Sequence, residues 1–79
     1  MRFYFNYRKH DCLVRDPEGS ELPDEAAATD EAIYSARELM ASAVRDGRDI
    51  SDEAFEVVDE RQVVLLRVPF RMALRRPKD

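Results

Sequence analysis

His10 and Cys12 stand two residues apart with Asp11 between them, and they are the one histidine and the one cysteine in the chain. On a strand that spacing puts both side chains on one side, where an imidazole could take the proton of a thiol and leave a nucleophilic thiolate. Such a pair also needs a shaped pocket and fixed donors for the charge that develops during reaction. A helix over a small sheet has little room for either, so the plainer reading is a hairpin histidine beside a small, half-buried cysteine. A second cluster, Asp16, Glu18, Glu21, Asp24 and Glu25, offers the oxygen ligands that calcium prefers. The EF-hand loop wants glycine at its sixth position and glutamate at its twelfth. Counted from Asp16, Gly19 is fourth and Ala27 stands twelfth, so these carboxylates read as a solvated turn and helix start. One cysteine and one histidine complete neither an internal disulfide nor a structural zinc site. With no phosphate loop, dinucleotide fingerprint or paired-cysteine motif, the sequence predicts no catalytic residue, no cofactor and no metal ligand, and a protein that is not an enzyme.

The whole chain, 1–79, has the length of one small domain, which buries only about 60–65% of the surface its unfolded form exposes. Without a disulfide or metal, self-association is the remaining way to stabilise so small a core. No stretch approaches the ~20 apolar residues of a membrane span, and no apolar segment follows a basic one at the amino terminus. A soluble cytoplasmic protein is expected. The net charge of −4 hides a division: residues 1–15 carry +3, residues 16–60 carry −12 and residues 61–79 carry +5.

The elements that must position these groups are legible from periodicity. Phe3, Phe5 and Tyr7 alternate with polar neighbours, the period of a half-buried strand. Cys12 to Arg15 forms a short second strand after a turn at Lys9, His10 and Asp11. Asp16-Pro17-Glu18-Gly19 has the preferences of a type I turn. Asp24 is placed to cap a helix on which Ala28, Ala32, Ile33, Ala36, Leu39, Met40, Ala43 and Val44 make one apolar stripe, and Gly47 is placed to end it. Phe55 and Val57 then alternate on a third strand, Asp59 to Gln62 turns the chain, and Val64, Leu66, Val68 and Phe70 alternate on a fourth. Pro69 lacks a donor and marks an edge or an exit from the sheet. From Arg71 to Asp79 a helical turn is expected, fraying into a basic tail.

The order strand, strand, helix, strand, strand predicts an α+β fold with one small, mainly antiparallel sheet and a single helix packed on one face. Tyr4, Val58, Val63 and Leu65 fall on the opposite, uncovered face. If they cluster they make an apolar patch of a few hundred Å², the kind that marks an interface, and a homodimer or an unidentified protein partner is expected there. The alternative is that the four are simply exposed on a solvated sheet face. Arg67, Arg71, Arg75 and Arg76 form a possible basic patch for phosphates. Nucleic-acid sheets of the RRM type present two or more exposed aromatic side chains, however, and here Tyr4 alone is available once Phe3, Phe5 and Tyr7 face the helix. Nucleic acid is therefore an unfavoured partner that the basic ends keep open.

Over nearly the whole length, the residues Arg2-Phe3-Tyr4-Phe5, Asp16 to Asp24 (D-P-E-G-S-E-L-P-D), the alanine-rich helix, Phe55-Glu56-Val57 and Val68-Pro69-Phe70 resemble a family of short bacterial proteins known as domain of unknown function 6894. The chain departs from that pattern at the first hairpin, where members carry Asp-Gly or Gly-Gly and this sequence has Lys9-His10-Asp11. The resemblance implies the same fold and a bacterial cytoplasmic setting, and no activity. Asp24 to Ile50 also looks like the helix of HicB-type antitoxin domains, which bind a partner protein and often dimerise. It lacks their Leu-Pro-Gly turn, because Asp24 follows Leu22-Pro23. Together these readings predict a non-catalytic protein-interaction or regulatory module acting as a homodimer, with a HicB-like partner binder or a weak nucleic-acid binder as alternatives.

Overall fold

A computed structural model describes residues 1–75. The elements run β1 (Arg2–Arg8), β2 (Leu13–Val14), β3 (Ser20–Glu21), α1 (Glu25–Arg45), β4 (Ala54–Val58), β5 (Val64–Pro69) and a closing 3-10 helix (Phe70–Leu74). All pairings are antiparallel, in the order β2-β1-β4-β5, with β3 also on β1. The α+β expectation of one sheet and one helix stands. The two-residue β3, too short to leave a periodic signal, is the addition. Among the described residues, no helix is long and apolar enough to cross a membrane.

The helix forms where its signals place it. The Asp24 carboxylate accepts from the Ala27 amide at 2.9 Å, satisfying one of the free amides of the first turn. At the other end Gly47 adopts φ +77°, a conformation that costs glycine little. Ala28, Ala32, Ala36, Met40 and Ala43 are buried along one stripe, and the small alanine side chains let the helix backbone approach the sheet closely. Val44 departs from the predicted stripe: it is 69% exposed, one position round the helix from the buried Ala43.

Beneath the helix, Phe3, Val57 and Phe70 are fully enclosed, with Phe55 and Val68 beside them. Phe5, Tyr7, Phe55 and Phe70 form a run of tilted and edge-on rings with centroids 5.1–6.3 Å apart, the separations aromatic pairs favour. The 3-10 helix is held against the helix by Arg37, whose Nε donates to the Ala73 carbonyl at 2.7 Å and Nη2 to that of Arg75 at 2.9 Å. The helical turn expected from Arg71 is thus present and anchored. The tail beyond it, residues 76–79, lies outside the described residues.

Both sheet edges are interrupted. On one side β2 and β3 each cover only two residues of β1. Between them the Asp16 carboxylate accepts from the Phe5 amide at 3.1 Å, and Asn6 Oδ1 accepts from the Asp16 amide at 3.0 Å. On the other side β5 carries a bulge, since Val57 pairs with Leu66 but Val58 pairs with Val64, and it ends at Pro69.

Candidate functional site

The uncovered face follows directly from strand register. Tyr4, Val58 and Val64 lie abreast across β1, β4 and β5; next come Asn6, Glu56 and Arg67; then Arg8, Ala54 and Pro69. Arg8 Nε lies 3.0 Å from Glu56 Oε2 and Arg67 Nη1 lies 3.6 Å from the same oxygen. One carboxylate, only 17% exposed, thus sits between two guanidinium groups. Arg2, paired with Glu21, donates to the Glu18 carbonyl at 2.9 Å, and Arg15 donates to Gln62 Oε1 at 3.2 Å.

The predicted patch is altered by the bulge. Tyr4 is half-buried on that face, whereas Val63, 50% exposed, lies in the turn before β5 and outside the paired register. Val58 keeps its place on that face but is buried. Leu65 does not belong there: skipped in the pairing, it packs against the core, and Val64, 53% exposed, takes its position beside Val58. The apolar area therefore contracts to the row Tyr4, Val58 and Val64 at one end, with Tyr4 and Val64 its accessible members. The predicted basic patch also divides. Arg67 lies on the sheet face against Glu56, whereas Arg71 and Arg75 are exposed at the 3-10 helix, beside Pro69 and Met72. Arg76 lies outside the described residues.

The carboxylate-rich stretch serves the architecture. Asp16 accepts from the amides of Phe5, Glu18 and Gly19; burial alone would push its carboxyl up, but these three donors hold it below the ordinary carboxylate range. Gly19 has φ +71° and lies so close to β1 that a Cβ there would meet the Phe3 carbonyl oxygen and the Tyr4 ring at 2.9 Å. Glu21 faces Arg2 and the terminal amine, and Asp24 caps the helix. A motif that looked like a ligand set is a turn, an edge and a cap.

At the opposite end, His10 is engaged away from Cys12. Its Nε2 lies 3.0 Å from Asp52 Oδ2, while Cys12 is exposed. The Tyr7 hydroxyl donates to Glu53 Oε1. Burial of the phenol, reinforced by the Glu53 carboxylate, pushes the Tyr7 pKa well above its ordinary value. His10, Asp52 and Glu53 each bring a ligand atom within 4.8 Å of the others. Sequence spacing joined His10 to Cys12 and missed Asp52 and Glu53. The signal lies in topology: β1 pairs with β4 so that Arg8 faces Ala54, which sets the residues after β1 beside those before β4.

Comparisons with curated proteins and with solved structures return no match. A family model does match, over residues 2–71, a span that takes in the strand with its Arg2-Phe3-Tyr4-Phe5 start, the Asp16–Gly19 turn, the capped helix and the blunted β5. The chain belongs to the family described as domain of unknown function (DUF6894).

Proposed function

We propose that this protein is a non-catalytic interaction module of the bacterial cytoplasm that acts as a homodimer through its uncovered sheet face. The observation that carries this is the contrast between a face left open by the single helix, with Tyr4 and Val64 at one end, and two edges unsuited to receiving another strand. A bulge, a proline and an inward-turned charge are the devices by which sheets avoid edge-to-edge pairing. Association is thereby directed to a face. Sedimentation equilibrium over a range of protein concentrations tests it: the expected species has twice the 9.2 kDa monomer mass, and Val64→Glu returns it to monomer with its far-UV circular dichroism unchanged. A wild-type chain that stays monomeric at every concentration overturns the dimer.

A second reading rests on a separate observation. Arg2, Arg8, Arg15 and Arg67 all belong to the uncovered side, against Glu21 and Glu56, so the face suits a polyanion. That reading predicts binding of single-stranded oligonucleotides that weakens steeply with salt and is reduced by Arg8→Ala and Arg67→Ala. Salt-insensitive or absent binding removes it.

A further inference from the structure

We propose that His10, Asp52 and Glu53 bind a divalent transition-metal cation, with Zn²⁺ the best fit. The donor set is one imidazole nitrogen and two carboxylates, the borderline mixture that suits zinc, and it leaves a position open for water. The atoms of a tetrahedral zinc site, about 2.1 Å from the metal, stand about 3.4 Å from one another. Here the ligand atoms lie within 4.8 Å of one another and His10 Nε2 is already 3.0 Å from Asp52 Oδ2. The exposed His10 side chain needs only a small adjustment to complete the set.

The two carboxylates are presented by a fixed segment. The Glu53 amide donates to the Ile50 carbonyl at 3.0 Å and its carbonyl accepts from the Phe70 amide at 2.8 Å, while the Asp49 carboxylate accepts from the Ser51 amide at 2.9 Å. Tyr7 supplies the outer contact, its hydroxyl orienting Glu53 Oε1 as partners behind metal ligands commonly do. Lys9, whose Nζ stands 5.3 Å from the centre of the Tyr7 ring, and Arg48, which also acts on Tyr7, oppose a second positive charge. They set a limit on affinity and favour a loosely held ion over a structural one. Cys12, near in sequence, is not a ligand.

Isothermal titration of the metal-stripped full chain with zinc chloride, above the ordinary imidazole pKa of about 6.5, is the test. One equivalent is expected to bind. Both His10→Ala and Asp52→Asn, at exposed positions that leave the core intact, are expected to weaken binding more than about tenfold, the effect of losing even an outer partner. Cys12→Ser leaves it unchanged. Cobalt(II) provides a second readout, with visible absorption free of a thiolate charge-transfer band. No binding, binding indifferent to His10→Ala and Asp52→Asn, or binding lost on Cys12→Ser overturns the proposal.

Discussion

The two faces of the sheet are made by the same strands and held together by different physics. Under the helix, Phe3, Phe55, Val57, Val68 and Phe70 exclude water by area and close packing, a non-directional attraction of roughly 25 cal/mol per Å². On the other face, Asn6 receives the Asp16 amide, Glu56 lies between Arg8 and Arg67, and the one apolar row is Tyr4, Val58 and Val64. Here geometry decides, because a carboxylate or amide loses its value when its partner moves. Neighbouring residues on one strand therefore obey different rules of substitution: volume matters on the covered side and partnership on the uncovered side.

Four sets of substitutions probe that difference. The largest effect belongs to the covered face, where Phe3→Ala or Phe70→Ala removes a fully enclosed ring and costs about 3–5 kcal/mol. In so small a domain, urea denaturation should find either variant largely unfolded. Next is Gly19→Ala, expected to cost about 2 kcal/mol or more, from the left-handed conformation together with the clash against the Phe3 carbonyl and Tyr4 ring. Gly47→Ala, with a similar φ but open space around it, should cost only about 1 kcal/mol, and equal losses would refute the close approach. Third, the depressed Asp16 pKa contributes stability that is present above the unfolded value of about 3.9 and lost as pH falls through the folded value. Acid denaturation of Asp16→Asn should show a flatter loss below pH of about 4, and at neutral pH a deficit of about 1 kcal/mol. The smallest effect is that of Val64→Thr on the monomer, within about 0.5 kcal/mol in thermal unfolding at low concentration. The same change at the buried Val68 should cost several times more.

The helix and the strands around it were legible because several independent signals agreed: a capping aspartate, alanines at spacings of three and four, and a terminating glycine. The bulge was not. Val63, Val64, Leu65 and Leu66 are all apolar, so alternation is satisfied in either register. The choice is made by the preceding turn, where Asp59 Oδ1 accepts from Arg61 and Val63 amides and Gln62 adopts φ +67°. For that reason Val64, and not Leu65, stands beside Val58 on the open side, and Val63 falls in the turn. Val44 was included in the stripe because it borders Ala43, and only packing distinguishes such neighbours. His10 was noticed for its chemistry but given its neighbour in sequence as partner, since Asp52 and Glu53 become adjacent only through the pairing of β1 with β4.

That pairing also bears on how the molecule is made. β1 is an interior strand, and its full-length neighbour β4 follows about fifty residues later. During synthesis at about 5–20 residues per second, the aromatic strand emerges several seconds before β4 can cover its other side. In that interval only the short β2 and β3 segments and the helix are at hand. The charges of Arg2, Arg8 and Lys9 and the turn at Asp16 then act as temporary guards, keeping Phe3, Phe5 and Tyr7 on a nascent chain from finding a neighbour's strand first.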